Sequence, residues 1–454
     1  MKKAIVLALA VLVSVPLAFS AIITNTNQSV GYFRLLARNA SLDIDAVYYN
    51  PAGLVKLQDG FHLAYHNQSI WQEKTITNDF PFLNSGQYVG KISVPFYPDF
   101  YAVYKSGPLA LSFGFGPNGG GGTADYATGL PSFEQGFSTL PLLLSSFGLP
   151  TTKYSADISF KGSSMYLGFQ VNASYAVNDM FSAAVGLRYI SAKNTYKGGM
   201  SNVMVNPVFA PFGLTGQMIS AAQLFSMIGQ PAYAALVGNK AVDVEQTGSG
   251  FTPILGLMVT PVEGLNLTLR YEFNTKLELT NKTTQDDTAA LYPPDGLFPN
   301  GAKTRADIPA ILALGASYAI MPDLRAHLSY TLTFDKNADW DGRQNLVDSN
   351  AYDLAFGLEF DLTKSLTLSA GYMTTSYHFL TGYQTDMSFA LPADTIGAGV
   401  LWKLTDQLSL DLGILSVNYK NDQKSISYPP LGVYLEHYKE TTFGFGVGIN
   451  YHIK

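Results

Sequence analysis

Long stretches of strict two-residue alternation constrain this chain more than any other feature. From Leu265 to Leu279 the odd positions read Leu265, Leu267, Leu269, Tyr271, Phe273, Thr275, Leu277 and Leu279. The even positions between them read Asn266, Thr268, Arg270, Glu272, Asn274, Lys276 and Glu278. Successive strand side chains point to opposite faces, so one face is apolar and the other charged. The same rhythm runs through 165–177, 324–334, 352–362 and 443–453. Soluble strands usually span about five or six residues, whereas strands tilted across a bilayer need about nine to eleven. Alternation this long and this often repeated predicts an all-β chain whose strands cross a membrane.

The connections sharpen that expectation. Tight turns fall at 105–108, 177–180, 262–265, 321–324, 362–365 and 404–407. Long connections fall between them, near 72–94, 117–162, 195–248, 280–306, 336–350, 378–391 and 420–440. Short periplasmic turns alternating with long extracellular loops mark outer-membrane barrels. The count gives a 14-stranded antiparallel transmembrane β-barrel, with strands near 61–71, 95–105, 108–116, 163–177, 180–194, 249–261, 264–279, 308–320, 323–335, 350–362, 365–377, 392–403, 407–419 and 440–453. After Leu408, Leu410, Leu412 and Ile414 the apolar phase slips to Leu415, Val417 and Tyr419, which predicts a bulge.

Composition agrees. Charged residues make up 14% of the chain, below the roughly 25% of soluble proteins. A net charge of −6 gives nucleic acid no attraction. With no cysteine in the sequence, disulfides, thiolate metal sites and a cysteine nucleophile are excluded. Residues 1–20 combine a basic start, an apolar stretch and Ala18-Phe19-Ser20, the pattern of a cleaved secretory signal peptide.

Residues 21–60 are too few for an independent domain and too apolar for a tail. They are expected inside the barrel as a small N-terminal plug, with residues 61–454 forming the wall. Pro51 stiffens the backbone there, and Asn50 can bond to nearby backbone.

Asn50-Pro51-Ala52, preceded by Arg38-Asn39-Ala40-Ser41 and followed by fourteen strands, resembles the FadL-type family of long-chain fatty-acid and hydrocarbon transporters of the bacterial outer membrane. The resemblance implies capture of a hydrophobic ligand in an outer groove and transfer to a pocket in the lumen. It further implies sideways exit beside a kinked third strand, gated by the plug. In this sequence that strand runs from Leu109 into Phe113-Gly114-Phe115-Gly116-Pro117. Glycine weakens a strand and proline removes a ladder bond, which marks Gly114, Gly116 and Pro117 as the expected kink. A flexible loop entrance without a gate would carry the same residues.

Residues 203–238 are almost free of charge. Exposed apolar surface generally marks a binding site, so Met204, Met218, Leu224, Phe225 and Met227 are candidates for the ligand groove, with 217–228 as a short helix. A self-packed lid over the barrel mouth is the alternative. A fatty-acid carboxylate would want a buried cation; the candidates are Arg34, Arg38, Arg188, Lys193, Arg270 and Arg325.

No nucleophile elbow or paired-histidine metal motif occurs, so no enzyme and no cofactor are expected. The partners expected are a hydrophobic small molecule and outer-membrane lipid, with the protein acting as a monomer. A general porin or structural barrel is the rival reading, disfavoured by the plug and the apolar loop. The chain ends Tyr451-His452-Ile453-Lys454 rather than on the aromatic residue common at barrel termini.

Overall fold

The computed structural model describes residues 25–380, 382–428 and 431–453. The expected signal peptide, 1–20, lies outside the described residues. The wall begins with β1 (Gly60–Asn78), β2 (Gln87–Ser106), β3 (Leu109–Tyr126), β4 (Tyr154–Ala176), β5 (Phe181–Val205) and β6 (Lys240–Val262). Next come β7, in two pieces (Leu265–Glu272 and Glu278–Asp286), and β8, also in two (Lys303–Arg305 and Ile311–Met321). β9 (Leu324–Thr333), β10 (Val347–Thr363), β11 (Leu366–Phe379) and β12 (Ala393–Lys403) follow. The last are β13, in two pieces (Leu408–Tyr419 and Asp422–Tyr428), and β14 (Gly432–Ile453).

Each strand pairs antiparallel with the next. β14 returns to β1 along a ladder from Phe61↔Ile453 to Asn78↔Glu436, which closes the barrel. Phe443, Phe445, Val447, Ile449, Tyr451 and Ile453 are exposed on the outer face, as the alternation requires of residues facing lipid. All six tight turns fall at one end of the barrel.

The strands run much farther than the greasy alternation does. The connections expected at 72–94 and 195–248 shrink to 79–86 and 206–239, and within 420–440 a ladder runs from Asp422↔Tyr438 to Tyr428↔Gly432, because pairing continues into polar sequence. Backbone hydrogen bonds need no apolar face, so pairing persists above the bilayer where Lys420 to Ser425 show no pattern.

Two expectations about phase are corrected. Leu265–Leu279 is not one strand: the ladder breaks after Glu272, and Leu277 and Leu279 are buried while Phe273 stays exposed. Asp307 shapes the break, accepting from Asn274 Nδ2 at 2.9 Å and from the Leu277 N–H at 3.0 Å. The bulge expected after Ile414 is absent, because Leu408 to Asn418 pair in continuous register with both neighbours. Ile414 faces outward and Leu415 inward. The slip in hydrophobicity records an apolar lumen, not an extra residue.

Residues 25–59 fill the lower lumen with two short helices, α1 (Val30–Arg34) and α2 (Ala46–Tyr49), and a 3-10 turn (Pro51–Lys56). Ser29 caps α1, accepting from the Tyr32 N–H at 3.0 Å and donating to Asp45 at 2.7 Å. Phe33, Leu36, Val47, Tyr48 and Leu54 pack with Tyr101, Val103, Met373 and Leu415 of the wall. The wall thins to receive them. A Cβ on Gly397 would stand 2.4 Å from the Phe33 carbonyl oxygen, and one on Gly357 would stand 2.2 Å from Leu35.

Candidate functional site

Above the plug the lumen encloses a cavity of about 480 Å³. Its floor is Asn25–Asn27, Tyr32 and Phe33 of the plug, and its walls include Met373, Tyr377, Leu415, Val417 and Tyr419. Met387 to Leu391, from the connection between β11 and β12, cover it from outside. Leu415, Val417 and Tyr419 are the residues whose phase slip signalled this apolar interior.

One side of the cavity abuts a seam in the wall. β2 and β3 pair at Phe100↔Phe115 and again at Gly90↔Tyr126 and Lys91↔Asp125, with no pairing between 92–99 and 116–124. β3 keeps its ladder to β4, with irregularities at Pro117/Gly119 and Gly120/Gly122. Gly120 and Gly121 have φ of +68° and +135°, conformations that glycine adopts without steric cost. Ile92, Val94, Tyr97 and Gly120–Gly122 line both seam and cavity. Of the residues expected to form the kink, Pro117 is the start of the distortion. Gly114 lies in regular pairing with Tyr101 and Gln170, and Gly116 with Gly168. The strand does not end at Gly116 but bends and continues.

The plug's first described residues fill this seam. The Asn25 N–H donates to the Asn118 carbonyl at 3.0 Å, and its side chain donates to the Gly120 carbonyl and to Tyr97 Oη at 2.5 and 2.6 Å. Gln28 Nε2 donates to the Pro117 carbonyl at 2.8 Å. Asn27 and Gln68 exchange two bonds of 2.8 Å, and Gln68 donates to Asp99 at 3.0 Å. Backbone acceptors of β3 beside the interrupted β2 pairing are therefore met by the N-terminal segment.

Asn50-Pro51-Ala52 docks on β4 and β5, the strands that follow the seam round the barrel. Asn50 Nδ2 donates to the Ser41 carbonyl at 3.0 Å, Ser174 Oγ to the Pro51 carbonyl at 2.7 Å and Ser182 Oγ to the Ala52 carbonyl at 2.8 Å.

Four of the six candidate cations serve the plug. Arg34 reaches Asp411 at 2.9 Å, Glu359 at 2.5 Å and Ser369 at 2.5 Å. Arg38 bonds Asp45 at 2.5 Å and Asp43 at 2.9 Å. Burial pushes the Asp45 carboxyl up, but Arg38, Ser41 and Ser29 outweigh it and hold it below its ordinary value. Arg188 and Arg270 share Glu272 and flank the Tyr48 ring, each 4.7 Å from its centroid. Arg325 pairs with Asp361 at 2.6 Å. Lys193 turns out of the lumen, because its neighbours Ala192 and Asn194 take the inward positions, and it pairs with Glu245 at 2.5 Å. None of the six lines the main cavity.

The apolar segment 203–238 packs against the helices of the β3–β4 connection. α3 (Pro131–Ser138) and α4 (Leu140–Ser146) pack with α5 (Ala221–Met227) and α6 (Pro231–Val237). Leu224 and Phe225 sit at the centre of that cluster, fully buried with Phe137, Leu140 and Leu144. The helix expected over 217–228 is α5, shorter by four residues at its start because Ile219 and Ser220 pair as a strand with Met204 and Val205. Met218 and Met227 remain exposed.

The chain matches, over residues 150–453, the family described as outer membrane protein transport protein (OMPP1/FadL/TodX). It belongs to that family of outer-membrane channels for hydrophobic compounds. No curated protein matches it by sequence. Among solved structures it is similar to a Pseudomonas aeruginosa FadL homologue, with TM-score 0.65 and 14% identity, over 96% of this chain and all of the other (100%). The Pseudomonas putida toluene transporter TodX gives 0.59 and 12% identity, over 96% of this chain and 100% of that one. The Ralstonia pickettii toluene transporter TbuX gives 0.55 and 13%, over 91% and 94%.

Proposed function

We propose that this barrel takes up a hydrophobic small molecule by a sideways route. The molecule is captured at the outer loops, rests in the lumen cavity and leaves through the β2–β3 seam when Asn25 to Gln28 withdraw. Met218 and Met227 offer polarizable contact for capture, while Leu224 and Phe225 hold the loop helices together. A cargo that dissolves in the bilayer gains by leaving sideways, since the periplasmic end of the lumen is filled by the plug. The resemblance leads to the expectation of a long-chain fatty acid; the route itself asks only for a cargo that dissolves in the bilayer.

The observation that carries the reading is the shared lining of cavity and seam, Tyr97 with Gly120–Gly122, closed by side chains of the plug. The test uses the absence of native cysteine. Asn25→Cys with Asn118→Cys, joined by a short thiol cross-linker that reduction cleaves, should stop uptake of labelled hydrophobic cargo into cells and restore it on reduction. Uptake that continues through the cross-linked protein would end the sideways route.

A further inference from the structure

Resting on the cavity as the cargo site, we infer that the cargo is a neutral hydrophobic molecule, carrying at most an uncharged polar group, and not a carboxylate. Among the described residues that line the cavity, two are charged, Lys74 and Glu440. They face each other at 3.5 Å. Glu440 also accepts from Gln72 Nε2 at 2.5 Å, and the Lys74 ammonium lies 4.8 Å from the centroid of the Phe389 ring. The cation is already matched by a carboxylate and an aromatic face.

A carboxylate entering this space would lose its water and compete with Glu440 for the single ammonium, leaving one of two buried anions without a partner. Arg270 lines a separate space of about 20 Å³ together with Tyr32 and Met373. That is room for about one water molecule, not for a carboxylate. Arg270 also shares the space with Asp353.

A neutral molecule meets none of these costs. The cavity offers it rings and methyl groups, and the tyrosines Tyr126 and Tyr377 are part of its lining. An alcohol, phenol or ketone could bond to either; a plain hydrocarbon would leave them as they are.

The test compares two molecules that differ in the head group alone, 1-octanol and octanoate, titrated by calorimetry into the purified protein at about pH 8, where the acid is ionised. Octanol should bind at least about tenfold more tightly, the difference expected from one uncompensated charged hydrogen bond. Ala124→Trp, which places an indole in the space the octyl chain would occupy, should abolish the octanol signal, separating it from partition into detergent. Glu440→Gln frees the ammonium and should move the octanol-to-octanoate ratio about tenfold toward the acid. Octanoate binding as tightly as octanol to the unaltered protein overturns the inference and leaves the cavity as the cargo site. An octanol signal that survives Ala124→Trp, or binding of neither molecule, removes the cavity as the cargo site and this inference with it.

Discussion

The side-chain amide of Gln28 donates to the carbonyl of Pro117 at 2.8 Å, joining the plug to the one strand that has lost its neighbour. Asn25 completes the bond set at Asn118 and Gly120. Gln28→Ala combined with Asn25→Ala should therefore loosen the seam while the rest of the ring holds. Hydrogen exchange of 116–124 should accelerate about tenfold, the effect of losing roughly one net hydrogen bond. Exchange in 324–333 should stay as it was. Equal rates at the seam would show that the plug does not brace it.

Arg34 is buried between two wall carboxylates, Glu359 and Asp411. Arg34→Met keeps much of the bulk and removes the guanidinium from both, leaving Glu359 to His327 and Arg325 and Asp411 to Asn450. Breaking a buried ion pair on one side costs about 3–5 kcal/mol, enough to dislodge α1. Single-channel recordings should show new conductance for small ions, with the folded barrel still migrating as a compact species on unheated gels. A silent trace would mean that apolar packing alone seats the plug.

The turn at Asn50-Pro51-Ala52 has little slack. A Cβ on Gly53 would stand 2.4 Å from Asn50 Nδ2 and 2.8 Å from the Ser41 carbonyl oxygen. Gly53→Ala should thus disturb the plug more than Pro51→Ala, which loses only the fixed φ of the first residue of the 3-10 turn. Small-solute leakage into proteoliposomes should rank Gly53→Ala above Pro51→Ala above the unaltered chain; the reverse order would count against the steric reading.

Met218 and Met227 separate capture from folding. Met218→Asp with Met227→Asp should weaken cargo uptake at low concentration and leave thermal stability alone, because both side chains are exposed. Phe225→Ala should instead lower the stability of the loop helices, by about 3–5 kcal/mol for a fully buried aromatic ring. Limited proteolysis of 210–237 reads the second effect, and concentration-dependent uptake the first.

Outside the bilayer, burial chiefly, with the Asp386 carboxylate adding, pushes the Glu436 carboxyl up to about 7. Its neighbours are Asn78 Nδ2 at 2.9 Å and Tyr438 Oη at 2.6 Å, with Lys424 as the nearby cation. The folded state holds this proton more firmly than the unfolded chain. Its contribution is therefore fully present below the ordinary carboxyl value of 4.5 and is lost as pH rises through about 7. The temperature at which the outer loops become protease-sensitive should fall between pH 5 and 7 and flatten in Glu436→Gln. An unchanged slope in that variant would assign the pH dependence elsewhere, with Asp386 the next candidate.

The wall was readable in the sequence because lipid enforces a strict rule: Phe443 to Ile453 alternate since every second residue meets hydrocarbon. Strand count, turn positions and the location of the N-terminal segment follow from that rule. Where lipid ends, the rule ends. Strands rise through Lys420–Ser425 and Thr75–Asn78 on backbone bonds alone, so their lengths were hidden. The lumen obeys a different chemistry: Leu415 and Val417 read as a bulge until the cavity they line is known, and Leu277 read as in phase although it is buried. Lys74 and Glu440 fall in segments taken for loops, and nothing in the local sequence reveals that distant strands bring them together. The six candidate cations were sought by charge, whereas their duties are set by carboxylates as distant in sequence as Glu359 and Asp411.

The ladder between β1 and β14 has a bearing on assembly. The ring is completed by the final strand of the chain, yet α1 already touches β1, β11, β12, β13 and β14. A finished hoop would leave the N-terminal segment no way to thread into such a fitted seat. The staves must therefore gather around their own stopper, and a lesion in α1 should surface not only as a leak but also as a barrel slow to shut.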